Sequence, residues 1–155
     1  PWPRTEAHAR ASVRAGTRGI GHGRGMKEAR TGLILAGVFG LIGVAAGALG
    51  AHALAERIGA TQLEWWQTAA RYQQIHAAVL LAAAGLAGPW TRARKLALPL
   101  LAVGITIFSG TLYAMALGAP RWFGAITPLG GLALMGGWLA LIGHGLALGR
   151  TEATR

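Results

Sequence analysis

The chain is 155 residues long, 53% hydrophobic and only 13% charged, with a net charge of +10 and no cysteine. That composition is far from ordinary soluble usage and points to lipid as the surrounding solvent. The missing thiols exclude disulfides, cysteine nucleophiles and thiolate metal sites. No recognition motif or aromatic-basic platform accompanies the charge, so a nucleic-acid partner is not expected.

Residues 1–25 open with Pro1-Trp2-Pro3, five arginines and a glycine-rich run from Gly16 to Gly25. With little apolar periodicity, this segment is expected to be disordered or a non-native extension outside the folded domain. A mitochondrial presequence is the competing reading, which the glycines oppose because they disfavour an amphipathic helix. Met26-Lys27-Glu28-Ala29-Arg30 reads as a natural start, which sets a membrane domain over 26–150 and a short tail at 151–155.

Four stretches then follow without one Lys, Arg, Asp or Glu: residues 32–54, 72–88, 96–117 and 128–148. Crossing about 30 Å of hydrocarbon takes roughly 20 such residues. Backbone groups in lipid must pair within their own segment, so these stretches predict helices. The predicted fold is all-α, an integral membrane bundle of four transmembrane helices. The first stretch also fits a signal peptide ending at Ala53-Leu54-Ala55, but its length and packing pattern favour a retained span.

Span one carries Ala36, Gly40, Gly43, Gly47, Gly50 and Leu54 at spacings of 4, 3, 4, 3 and 4, a smooth groove along one face. Gly43 and Gly47 form a GxxxG pair, and such faces let helix backbones approach closely in lipid. Span two reaches 20 residues only by admitting Ala69, Ala70 and Arg71, and residues 61–71 are expected to form an interfacial helix continuous with it. Gly118 and Pro120 close span three. Span four starts with Thr127 as N-cap and Pro128 at the first helical position, and carries a small-residue stripe through Gly130, Ala133, Gly137, Ala140, His144 and Ala147. Trp65, Trp66, Trp90 and Trp122 fall near the boundaries, as interfacial aromatic belts do.

Twelve of the 15 basic residues fall on one side of this topology, leaving Arg57, Arg71 and Arg121 on the other. The positive-inside bias places both termini in the cytoplasm, with Arg92, Arg94 and Lys95 as juxtamembrane charge touching anionic head groups. His52, Tyr72, Gln73, His76, Ser109, Tyr113 and Thr127 then all lie in the outer half of the bilayer. They form the candidate polar cluster, since intramembrane polar groups suggest function by default. His52, however, lies roughly 170° around span one from its glycine stripe by the 100° per residue rule.

Three readings of that cluster stand. The first is interhelical hydrogen bonding within a non-enzymatic protein that acts by packing or interaction, with lipids and another membrane protein or a second copy as partners. The second is a small-solute, ion or proton transporter with an outer polar site. The third is haem ligation by His52 and His76. Two imidazoles are too few for zinc, and no cofactor is expected on the first two readings. No nucleophile and base pair, P-loop or nucleotide fingerprint appears, so no enzymatic activity and no catalytic residue is expected.

Gly47-Ala48-Leu49-Gly50-Ala51-His52-Ala53-Leu54, Trp66-Gln67-Thr68-Ala69 with Arg71-Tyr72-Gln73 and His76-Ala77, Phe108-Ser109-Gly110-Thr111-Leu112-Tyr113, Ile126-Thr127-Pro128-Leu129-Gly130-Gly131 and Gly137-Trp138 together resemble the domain-of-unknown-function family 423. The resemblance runs from Met26 to about Leu148. It implies a small four-span inner-membrane protein, related to the eukaryotic proteins called transmembrane protein 256, without an assigned biochemical role. Leu49 departs from the Phe common at that place in the motif, which changes the bulk beside His52.

Overall fold

The computed structural model describes residues 4–152, with side chains placed from Gly25 to Gly149. Pro1-Trp2-Pro3, the side chains of the N-terminal arginines and the last residues of the tail lie outside the described residues. Within them the protein is all-helical: α1 (Arg4–Leu49) runs into a π-helical turn (Gly50–Leu54), then α2 (Ala60–Gly85), α3 (Arg92–Ala116), a 3-10 turn (Arg121–Ala125) and α4 (Thr127–Glu152). The first helix begins at Arg4, inside the segment expected to be disordered.

Three stretches are long and apolar enough to cross a membrane: Gly25–Leu54, Arg92–Ala116 and Arg121–Gly149. The expected interfacial segment and span two are one continuous helix, α2, whose 26 residues span about 39 Å. It carries Gln62, Glu64, Gln67, Arg71, Gln73, Gln74 and His76, and this polarity is why α2 falls short of the other three in apolar character.

The helices pack in chain order, α1 on α2, α2 on α3 and α3 on α4, each antiparallel to the next. The register is fixed by small residues. A Cβ on Gly32 would stand 2.7 Å from that of Ala84, and one on Gly50 would stand 2.7 Å from the Trp66 ring. Between α3 and α4, Gly130 sits directly against the backbone of Phe108, and Gly104 against Leu134. The stripe of span four thus faces α3. In span one Gly43, Gly47 and Gly50 face α2, whereas a Cβ on Gly40 would meet nothing within 4 Å.

The core is built from Ala36, Leu80, Ala83, Ala84, Leu98, Leu101, Ile105 and Leu134, continued at the other end by Ala46, Trp66, Ala70 and Ala116. Large apolar side chains point outward instead: Leu41 is 73% exposed and Leu139 68%. In water this arrangement would be inverted. In lipid it is the expected one, because helix association there rests on close packing of small residues and on interhelical hydrogen bonds.

Helix α3 ends in a Schellman motif. Ala119 N–H donates to Ala114 O at 2.9 Å and Gly118 N–H to Met115 O at 3.1 Å. The motif needs a left-handed residue at its centre, supplied by Gly118 at φ 98°. The end of α3 is therefore where Gly118 and Pro120 predicted it. Thr127 departs from its expected capping role: its hydroxyl bonds Thr111 Oγ1 at 2.8 Å and reaches the Phe123 carbonyl at 3.4 Å, tying α4 to α3.

Candidate functional site

The seven residues of the expected polar cluster do not converge on one point. His52 is exposed in the π-helical turn, away from the other histidine. A His52 and His76 ligand pair for haem also meets a chemical obstacle, since both ring nitrogens of His76 are engaged. Its Nδ1 lies 2.8 Å from the Tyr72 carbonyl, which can only accept, so Nδ1 carries the proton. Its Nε2 then accepts from the indole N–H of Trp138 at 3.3 Å. Tyr72 stacks beside His76 and tilts against Phe108, with ring centroids 5.7 and 4.6 Å away.

The remaining polar groups divide into pairs. Buried Ser109 donates to the Ala69 carbonyl at 3.0 Å, joining α3 to α2. Buried Gln73 donates to the Phe39 carbonyl at 2.8 Å and its neighbour Gln74 to the Gly43 carbonyl at 2.7 Å, joining α2 to α1. Tyr113 packs at 4.6 Å against Trp66, and its hydroxyl is buried without a hydrogen-bond partner among the described residues.

Trp66 corrects an expectation. Rather than marking an interface, its ring is buried and its N–H donates to the Ala46 carbonyl at 2.7 Å. Gly50 makes this fit possible, because any side chain there would collide with the indole. Trp122, by contrast, is 61% exposed, as a belt residue should be.

The densest polar constellation lies at the opposite, basic end of the bundle. Arg94 is 0% exposed, so it does not touch head groups as its place in the charge count suggested. Its Nε donates to Ala83 O at 2.8 Å, and its Nη2 to Ala84 O at 3.3 Å and Leu86 O at 2.6 Å. Those carbonyls belong to the last turn of α2 and its cap, where a helix leaves acceptors unmatched and accumulates partial negative charge. The guanidinium carbon lies 3.9 Å from the Trp90 ring centroid, a cation–π contact. Thr91 caps α3 by accepting from Arg94 N–H at 3.2 Å, and the same hydroxyl lies 2.9 Å from His144 Nδ1 on α4. One arginine therefore ends α2 and shares a capping threonine with a histidine of α4.

Sequence reasoning set Arg94 at the head groups and not in this group, although a signal was present. Arg94 falls in register with Ala97, Leu98, Leu101 and Ile105, all buried. An arginine on the inward stripe of a membrane helix is costly unless it is paired, which marks it out.

The bond between Trp138 and His76 can be tested directly. Trp138→Phe keeps an aromatic ring, though a smaller one, and removes the donor, leaving a buried imidazole nitrogen unmatched at a cost of about 1 to 2 kcal/mol. Thermal unfolding in detergent is expected to show the loss. An unchanged midpoint would mean that the 3.3 Å contact contributes nothing.

Small residues at the helix contacts, apolar bulk outside and polar side chains turned inward define a small α-helical membrane protein. The chain belongs to the family described as protein of unknown function (DUF423), whose family model matches residues 46–131. It is 40% identical over 116 residues to the UPF0382 inner membrane protein YgdD of Escherichia coli K12, covering 72% of this chain and 86% of that relative. It is 39% identical over 110 residues to a UPF0382 membrane protein of Staphylococcus saprophyticus, covering 71% and 92%. No solved structure matches it.

Proposed function

We propose that this is a four-span protein of the inner membrane with both termini cytoplasmic, non-enzymatic, acting through packing and interaction with other membrane components. The observation that carries this reading is where the interhelical polar groups bond. Gln73, Gln74, Ser109, Trp66 and Arg94 all donate to backbone carbonyls of neighbouring segments. Groups spent on structural carbonyls hold helices together, and each such bond contributes about 0.6 to 2 kcal/mol. The antiparallel packing of α2 between α1 and α3 supports its crossing the bilayer despite its polar first half, and the basic residues favour the cytoplasmic side for both ends.

Single cysteines, which this chain otherwise lacks, test the topology. With Glu56→Cys and Ala87→Cys in separate variants, a membrane-impermeant maleimide applied to intact cells is expected to label the first and spare the second. Labelling of both would mean that α2 does not cross. Ser109→Ala is expected to lower stability in detergent while leaving proteoliposomes as impermeable to protons and small solutes as the parent. A solute or proton flux in parent vesicles that Ser109→Ala abolishes would favour a transporter instead.

A further inference from the structure

We propose that the groove between α1 and α3 at the basic end of the bundle is a binding site for the head group of phosphatidylethanolamine. The two helices barely touch there, and α2 closes the back, since Gly32 lies against Ala84. The groove holds about 280 Å³ and is walled by Leu35, Leu98 and Pro99, with Lys27, Glu28, Thr31 and Lys95 around it. Apolar walls below charged side chains at the end of a membrane bundle suit a lipid whose chains run down the wall.

The head group follows from the chemistry at the mouth. Lys95 Nζ holds Glu28 Oε1 at 3.4 Å, and Glu28 Oε2 is buried and has no hydrogen-bond partner among the described residues. A second acceptor comes from the main chain of Lys95, the residue whose side chain holds Glu28. Pro99 has no N–H to give the carbonyl of Lys95, four residues earlier in α3. The site thus offers ammonium donors, from Lys27 and Lys95, together with acceptors that lack donors. Phosphatidylethanolamine carries the complement, a phosphate for the lysines and a primary ammonium with three N–H groups for the acceptors. Phosphatidylcholine has the same phosphate and charge but no N–H. Phosphatidylglycerol lacks the cation and meets Glu28 with a net negative charge. The inference goes beyond the proposed function and needs only that this face meets a bilayer.

Native mass spectrometry of the full chain in mild detergent, with the three lipids carrying identical acyl chains at equal concentration, decides it. The phosphatidylethanolamine adduct is expected to exceed each of the others by about fivefold, the worth of a single hydrogen bond. In Glu28→Gln that preference should shrink towards parity, while Glu56→Gln, at the other end of the bundle, should keep it. Equal retention of ethanolamine and choline lipids by the parent would overturn the proposal, and this comparison does not depend on any variant folding. Dominance of phosphatidylglycerol would also overturn it by showing recognition of charge alone, as would a preference that Glu28→Gln leaves intact.

Discussion

Replacing Arg94 by methionine is expected to cause the largest loss of stability of any single substitution in the bundle. The side chain makes three hydrogen bonds to the end of α2 and one cation–π contact to Trp90. Hydrogen bonds to a charged group contribute about 1.5 to 3 kcal/mol each. Against them stands the cost of keeping a guanidinium away from water, including a buried Nη1 with no hydrogen-bond partner among the described residues, which removal of the charge would recover. The carbonyls decide the balance. They lie at the end of a helix and carry the negative end of its dipole, and those of Ala83 and Ala84 would be left buried with no donor, so a net loss of about 3 kcal/mol is expected. Arg94→Lys should fall between parent and Arg94→Met, because an ammonium keeps the charge but cannot reproduce the planar fork that reaches three oxygens. Denaturant titration in micelles gives the order. If Arg94→Met lies within about 1 kcal/mol of the parent, charge burial cancels the bonds, as it does in some soluble proteins.

The apolar spans were legible because lipid admits few charges: residues 32–54 lie within the membrane-length apolar stretch Gly25–Leu54, 96–117 match Arg92–Ala116 to within four residues, and 128–148 lie within Arg121–Gly149. Span two was harder for a physical reason: Gln73, Gln74 and His76 are polar by composition, yet their side chains pair with carbonyls and an indole, which hydropathy does not register. Arg94 shows the converse. Counting basic residues along the chain treats every arginine as solvent-facing, and only its register with Leu98, Leu101 and Ile105 reveals an inward one. The polar cluster was read from depth and from spacing around each helix taken singly. Depth fixes how far down a helix a residue sits but not which neighbour it faces, so Ser109, Tyr113 and Thr127 end in separate contacts and His52 stays outside. Trp66 was placed at an interface by its sequence position, whereas Gly50 opens a slot that draws it inside.

Gly130→Ala is expected to separate α3 from α4, although it adds only one methyl group. A Cβ on Gly130 would stand 2.8 Å from the Cα of Phe108 and 2.9 Å from its Cβ, closer still to its backbone nitrogen. No rotamer change relieves a collision with backbone, so the helices must move apart along their whole contact. Gly104 against Leu134 and Gly137 against Leu101 then lose their fit as well. Overpacking of this kind costs about 1 to 3 kcal/mol, and the upper part of that range is expected where the obstacle is main chain. Gly40→Ala supplies the contrast within the same protein. Gly40 belongs to a similar stripe, but a Cβ there meets nothing within 4 Å. Alanine also favours a helix over glycine by up to about 1 kcal/mol, so this variant should match or exceed the parent. The pair separates two meanings of a small-residue stripe. If both substitutions prove equally harmful, Gly40 is covered by something that detergent does not remove, and its face is an interface rather than a lipid-exposed surface. If neither is harmful, the contact between Gly130 and Phe108 yields more readily than backbone against backbone should, and the α3–α4 register rests on the Thr111–Thr127 and Thr91–His144 bonds instead.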